Sequence, residues 1–541
     1  MRKRLTSGNG LTVQAIAGTY VVLLGFDIAP EKRKGLLGFA IHRVDQTEQE
    51  SYWLTGGLTF PGASSVPQST STQGSPIQKF RWGDYTAKPN HSYQYMVQAL
   101  YGQPDSLEVG DSVTIEIQTE NPLQVGGGTQ QIHFNRSAAA SQAYVHKFGS
   151  ADPAQVPDGA AFRWLSRGLE ESLIAFIDRA RDETYSLHLC VYEFQKDNIL
   201  AALRQAVDRN VRVEIVYDAI QNSNGPREAN QQAIEQHGLT DYCHGRANIN
   251  AISHHKFIVL AQQNEPLAVW TGSTNFTDGA IYGQANVGHA IEDKELATTF
   301  FQLHQRLLQD PDLTTSRSIT KELTPVPPPA NNGSASYYPI FSPRSTVIAL
   351  ETCADLIHNA QQLVCFTAPF GLDHRINDVL DDAGDQFLAF GLLNKPDNTV
   401  EAMHRRAADL FVSPARIQSP LDNFQIESLH HHGVYIHTKI MVIDPFSIHP
   451  IIVTGSANFS KNSCVNNDEN QLVIFDQPAV ADVYLTEFMR MYEHYRFRFL
   501  LAHMKSEQAE RFLKTDDSWT DKYFNDALEQ RDRLIFSGSE A

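Results

Sequence analysis

Two stretches of this chain repeat each other with no break in register. In "VYIHTKIMVID", Val434 to Asp444, His437 and Lys439 lie two residues apart inside an apolar, strand-like run, and the earlier "ISHHKFIVL" carries His254 and Lys256 at the same separation. The match continues through "TGSTNF" and "TGSANF", where Ser456 and Asn458 follow Ser273 and Asn275 by 183 positions, the same offset that separates His437 from His254. A register held over this span marks a duplicated unit, so the chain must build two like lobes.

The surrounding pattern says what the lobes are made of. "LEESLIAFIDRARDE" has helical spacing of apolar residues, "SLHLCVYEF" reads as a strand, "DNILAALRQAVDRN" as a helix with Asp197 as its N-cap, and "VRVEIVYDA" as a strand. The same order returns later with "STVIALETCADLIHNA", "QQLVCFTAPF", "HRINDVLDDA" and "QFLAFGLL". Strand, helix and strand in succession predict α/β lobes, each a mixed sheet flanked by helices. "NPLQVGGGTQQ" and the proline-rich "LTPVPPPANNGSASYYP" read as boundaries. Before them, short runs such as "TYVVLLGFDI", "GLLGFAIHRV" and "DSVTIEIQTE" predict a small all-β sandwich. The expected division is a sandwich at 1–122, lobe one at 130–323 and lobe two with C-terminal helices at 338–541.

Residues two apart on a strand point to one face, so each His and Lys project together. A hairpin return then brings the Ser and Asn of the second motif to the same sheet end. Two lobes facing each other would offer two imidazoles, two ammonium groups, two hydroxyls and two amides. That set suits an anionic, tetrahedral, oxygen-rich group, because lysines and amides neutralise and orient phosphoryl oxygens. One imidazole can attack phosphorus while the other protonates the leaving oxygen, which divides one hard displacement into two easier ones.

These motifs resemble those of the phospholipase D superfamily, whose mark is HxKxxxxD followed by GSxN, twice per site. The resemblance covers most of the chain after about residue 130 and implies a single site made by His254, Lys256, Ser273 and Asn275 with His437, Lys439, Ser456 and Asn458. It implies a phosphohistidine intermediate resolved by water or an alcohol, with no cofactor and no metal. The N-terminal region, with "HSYQYMVQALYG" before its last strand, resembles a fibronectin type III module.

The resemblance also implies that Asp444, which ends the second motif, lies just behind the site; the first copy departs from the family pattern, with Ala261 in the matching place. A further asymmetry lies 11 residues after each motif asparagine, where lobe one has Asn286 and lobe two Glu469. Family members commonly use that position to hold a catalytic histidine. Pairing within each lobe would place His437 on Glu469, favouring imidazolium and the role of general acid and then base, and His254 on Asn286 as the nucleophile. Tyrosyl-DNA phosphodiesterases, in the same superfamily, share such a neutral-then-acidic arrangement.

Three substrate readings follow: a phospholipid headgroup, which is favoured, with peripheral membrane contact; a nucleic acid; or a phosphate ligand held without turnover. A net charge of −18 disfavours non-specific attraction to DNA over the whole surface. A nucleic-acid groove would need local cations, for which Arg227, Arg246, Arg405 and Arg406 are the candidates. Five scattered cysteines without CxxC spacing argue against disulfides or zinc and read as reduced thiols. "HHH" at 430–432 reads as a loop at the site mouth, since consecutive strand histidines face alternate sides. The basic start "MRKRLTSGNG" passes into polar residues with no secretory apolar stretch, and a cytoplasmic location is expected.

Overall fold

The computed structural model describes residues 1–62, 70–137, 141–149, 151–222, 225–248, 251–325, 336–383, 386–395, 399–406, 409–416, 435–503 and 512–539. The triple histidine at 430–432 and most of the proline-rich linker lie outside them. The chain forms two compact units, one of Met1–Pro122 with Pro478–Glu493 and His503–Ala541, the other of Leu123–Gln477 with His494–Ala502.

The first unit is built on two four-stranded antiparallel sheets. One has the order β1-β2-β3-β6, from Arg2–Thr6 (β1), Leu11–Ala17 (β2), Val22–Ile28 (β3) and Arg81–Asp84 (β6). The other has the order β8-β7-β4-β5, from Gly38–Asp45 (β4), Glu50–Trp53 (β5), Ser92–Gln103 (β7) and Ser106–Gln118 (β8). Strand β7 shows why: Tyr93, Tyr95, Val97 and Ala99 alternate into the core while the residues between them stay half-exposed. Tyr93 keeps its hydroxyl satisfied by accepting from the Lys88 amide at 2.7 Å.

The C-terminal end departs from the expected division. Residues beyond His503 belong to this first unit and not to lobe two. The physical cause is aromatic: Trp519 stacks on Phe80 at 5.3 Å, meets Phe39 edge-on at 6.2 Å, and donates its indole N–H to the Leu36 carbonyl at 2.8 Å. Burying such a side chain contributes about 1.5–3 kcal/mol, which a short terminal segment would otherwise leave in water. The long helix Pro478–His503 is divided between the units, Pro478–Glu493 belonging to the first, and no helix among the described residues is long and apolar enough to cross a membrane.

The second unit holds both lobes. Lobe one is a seven-stranded mixed sheet of order β9-β15-β14-β13-β10-β11-β12. Its strands are Gln130–Phe134 (β9), Tyr185–Val191 (β10), Arg212–Asp218 (β11), Cys243–Arg246 (β12), Lys256–Gln262 (β13), Glu265–Gly272 (β14) and Val287–Ile291 (β15). Lobe two is an eight-stranded sheet of order β16-β23-β22-β21-β17-β18-β19-β20. It uses Ser336–Ser342 (β16), Leu363–Ala368 (β17), Leu388–Lys395 (β18), Thr399–Arg406 (β19), Asp409–Arg416 (β20), Ile440–Ile443 (β21), Ile451–Gly455 (β22) and Glu469–Phe475 (β23). In each lobe a parallel pair, β10 with β11 or β17 with β18, adjoins an antiparallel hairpin that carries the motifs. The helices follow the expected positions, at Leu169–Asp178, Asp197–Asp208, Ile348–His358 and His374–Asp382. Asp197 is the first helical residue and Lys196 the N-cap, one position from the expected cap.

The motif glycines occupy matching special positions. Gly272 and Gly455 have φ of +139° and +132°, and a Cβ there would stand 2.2 Å from the Val287 carbonyl oxygen and 2.3 Å from that of Asn470. Only glycine lets each hairpin end close so tightly on the next strand.

Asp444 is not a neighbour of the motif side chains, contrary to expectation. Its carboxylate accepts from the backbone amides of Gln361 at 2.8 Å, Gln362 at 2.7 Å and Leu363 at 3.1 Å, pinning the start of β17. The lobe-one equivalent, Ala261, is fully buried in the β10–β13 pairing opposite Ser186. Loss of that aspartate therefore removes a backbone anchor and leaves the motif side chains in place. Asp444→Ala should lower stability by about 1–3 kcal/mol in urea denaturation while leaving the affinity for sulfate unchanged.

Candidate active site

The hairpins of the two lobes meet end to end. Short bridges join them: Ser253 pairs with Asp468 and Ala285 with Ile436, with the His254 amide donating to the Asp468 carbonyl at 2.9 Å and the His437 amide to the Ala285 carbonyl at 3.0 Å. Each bridge ties the strand entry of one motif to the segment that follows the other lobe's GSxN. All eight motif residues lie in this seam; His254, Lys256, Ser273, Asn275, His437, Lys439 and Ser456 are buried and Asn458 is half-buried.

The hydrogen bonds of the histidines cross the seam, which overturns the expected pairing. His254 holds Glu469 through Nδ1 at 2.8 Å, and His437 holds Asn286 through Nδ1 at 2.9 Å. The cause is the hairpin geometry: Asn286 and Glu469 sit at the starts of β15 and β23, and each strand start faces the opposite lobe. Their second contacts are local. Ser273 donates to Asn286 at 2.7 Å, and Ser456 donates to Glu469 at 2.7 Å, joined by Ser463 at 2.7 Å. Both motif serines thus orient the acceptors that orient the histidines. With Nδ1 engaged, Nε2 of each ring is the atom left for chemistry; that of His437 lies 2.9 Å from Lys439 Nζ.

Electrostatics set the resting protonation. Burial, reinforced by Lys256 and Lys439, pushes His254 well below the ordinary histidine value. The same causes push His437 down, with Lys439 the nearer cation. Both rings therefore rest neutral near pH 7. Burial lowers Lys256 to about 8, against the attraction of Glu469 and Glu193, and lowers Lys439 well below its ordinary value, with Lys256 adding repulsion. Burial raises Glu469, opposed by Lys256 and the serine hydrogen bonds. Two close ammonium groups in a dry seam are costly unless an anion joins them. Among the described residues the amide oxygens of Asn275 and Asn458 are both buried with no partner, an uncommon state for a buried acceptor.

Several neighbours were not expected. Tyr192 meets His254 edge-on at 4.9 Å and lies under Lys256 Nζ at 5.3 Å, and Glu193 accepts from the Asn275 amide. Asp218 accepts from the Ser253 amide at 2.7 Å, and burial raises it to about 6. A signal existed, since "VYEF" and "VYDA" end the parallel strands β10 and β11, the place where open α/β sheets bind ligands.

Arg246, read as a candidate for a nucleic-acid groove, has another role. It is fully buried and pairs with Asp468 across the seam at 2.8 Å and with Asp310 at 2.8 Å, while donating to Ser316 at 2.8 Å. It anchors the residue beside Glu469 and faces no solvent. Arg227 starts the helix Arg227–Gln236, and the side chains of Arg405 and Arg406 lie outside the described residues. His255 turns away from its neighbour and meets Asn470 Oδ1 at 3.3 Å through Nδ1.

Residues 173–308 and 354–492, together just over half of the chain, match the family model described as "Cardiolipin synthase, PLD-like domain". A search of curated proteins gave no match. Among solved structures, the chain is similar to phosphatidylserine synthase of Haemophilus influenzae Rd KW20, at 15% identity over 61% of this chain and 87% of that one, with a TM-score of 0.43. It is also similar to Nuc, a phospholipase D family member of Salmonella typhimurium, at 27% identity over 26% of this chain and 87% of that one, TM-score 0.22. A third is NucT of Helicobacter pylori, at 22% identity over 27% of this chain and 90% of that one, TM-score 0.22.

The lysines give the site a pH signature. Anion binding needs Lys256 charged, so affinity is present below about pH 8 and lost above it. Calorimetric titration with sulfate, which stays dianionic throughout, should show affinity falling about tenfold from pH 7 to pH 9.

Proposed function

The chain belongs to the phospholipase D-like family, and from that premise we propose that it is a phosphodiesterase working through a phosphohistidine, with a phospholipid headgroup ester as the favoured substrate. The observation that carries this reading is the crossed pair of histidine clamps, His254 on Glu469 and His437 on Asn286, around two buried lysines. Each clamp engages Nδ1 and leaves Nε2 as the reactive atom, and in-line displacement at phosphorus needs one such atom to attack and another to serve the leaving oxygen.

The roles follow from what each partner does to charge. Attack by His254 Nε2 forms the N–P bond as the P–O ester bond breaks, and the ring becomes a phosphoryl imidazolium. Buried Glu469 offsets that positive charge, so it stabilises the adduct it helps to form. His437 has only a neutral amide behind it, and its imidazolium is accordingly the stronger acid. The incoming phosphate anion favours a proton on His437, which passes to the leaving oxygen. In the second half His437 takes a proton from water or an alcohol as that oxygen attacks the phosphohistidine. His254 remains the nucleophile, as read from the sequence, but for the opposite reason: the carboxylate belongs to the attacking ring.

Lys256, Lys439, Asn275 and Asn458 neutralise and orient the non-bridging oxygens. The N-terminal unit reads as a fibronectin type III-like accessory module, supported by its sheet orders and by the Tyr93 hydroxyl capping the Lys88 amide ahead of its strand.

The test uses bis-p-nitrophenyl phosphate, whose leaving group needs little protonation. In His437→Ala a burst of p-nitrophenolate should be followed by a stalled adduct, with intact mass and peptide mapping under acid-free conditions placing phosphorus on His254. His254→Ala should lose turnover by about a thousandfold or more and form no adduct. An adduct on His437 in the wild type would reverse the roles.

A further inference from the structure

The two halves of the seam are related by the repeat, so their differences can be compared position by position. In lobe one Val191 pairs with Lys256, and Tyr192 and Glu193 follow it out of β10. In lobe two Thr367 pairs with Ile440, so Ala368 stands in the place of Val191, and Pro369 and Phe370 in those of Tyr192 and Glu193. Phe370 is 60% exposed. One strand further, Asp218 of lobe one accepts from the Ser253 amide at 2.7 Å, while in lobe two Asn394 accepts from the Ile436 amide at 3.1 Å, 183 positions on from Ser253. Twice, lobe one is acidic where lobe two is neutral.

Glu193 is the more telling of these acids. Its carboxylate is seated on the side-chain amide of Asn275, one of the groups that would meet a phosphoryl oxygen, and it is only half-buried. It also attracts both motif lysines. An anion in that place opposes a second anion beside it, whereas an ammonium group brought in on the substrate would satisfy it. The adjacent Tyr192 ring adds a π surface, already in contact with one cation, Lys256.

We propose, resting on the phosphodiesterase reading above, that Glu193 and Tyr192 form a subsite for an ammonium-bearing arm of the phosphodiester. The ligand class is an amino-alcohol phosphodiester. A phosphodiester has two arms, and this seam has two chemically different rims, acidic and aromatic on lobe one and apolar at Phe370 on lobe two. The acidic rim selects the cationic arm and turns away a polynucleotide, whose next phosphate would fall near Glu193.

Three chromogenic esters sharing one leaving group isolate the arm: p-nitrophenylphosphorylcholine, bis-p-nitrophenyl phosphate and the p-nitrophenyl ester of thymidine 5′-phosphate. The wild type should favour the choline ester over the thymidine ester in kcat/KM by about tenfold or more, and Glu193→Gln, which keeps an acceptor for Asn275 but removes the charge, should lower that ratio about tenfold. An unchanged ratio in Glu193→Gln, or a wild-type preference for the thymidine ester, overturns the subsite and leaves the phosphodiesterase reading standing. No p-nitrophenolate from any of the three esters overturns both. A measurement on the wild type alone guards against a misfolded variant: choline should inhibit hydrolysis of bis-p-nitrophenyl phosphate about tenfold more strongly than its uncharged isostere 3,3-dimethylbutanol. Equal inhibition by the two also overturns the subsite.

Discussion

The hydrogen bonds that cross the seam, His254 to Glu469 and His437 to Asn286, are the constraint on which the rest of this architecture depends. A neutral imidazole has one proton to place, and an acceptor at Nδ1 decides that Nε2 is the free atom. Because each acceptor belongs to the other lobe, the tautomers are correct only when the lobes are docked. The serines on Asn286 and Glu469, the backbone bridges at Ser253 and Ala285, and the Arg246–Asp468 ion pair all serve that docking. The buried ion pair is informative in this respect. A buried arginine gains little net stability, yet it penalises any arrangement in which Asp468 is not opposite it.

Burial does the remaining electrostatic work. In water two lysines would be fully charged at neutral pH and two histidines partly so, and the four would not tolerate close approach. In the seam, desolvation neutralises both rings and weakens the hold of each lysine on its proton. The resting site is thus poised for a net negative guest. Its carboxylates are divided unequally between the halves, and this inequality gives a nearly two-fold frame a direction.

Much of this was legible in the sequence because a repeat exposes itself. The constant offset identified the motif residues, and alternation along the strands placed His and Lys on one face. What a repeat cannot reveal is which copy a side chain reaches: pairing within a lobe and pairing across the seam leave identical spacing, so His437 was read onto Glu469. Asp444 was misread for a related reason, since motif membership does not distinguish a residue that faces the ligand from one that pins a distant strand end. The C-terminal segment was assigned to lobe two by proximity along the chain, whereas Trp519 and its neighbours follow aromatic complementarity to the sandwich. Tyr192 and Glu193 went unnoticed because nothing in their own spacing repeats. Their place at the end of a parallel strand was the available clue.

The crossed clamps also govern when the molecule becomes competent during its own synthesis. A chain that has made only lobe one carries His254 and Lys256 without Glu469, the group that His254 Nδ1 meets in the complete structure. That acceptor, Glu469, is made more than 200 residues after the histidine it serves. Until the second copy is made, the imidazole of the first lacks the partner that fixes its tautomer in the complete structure.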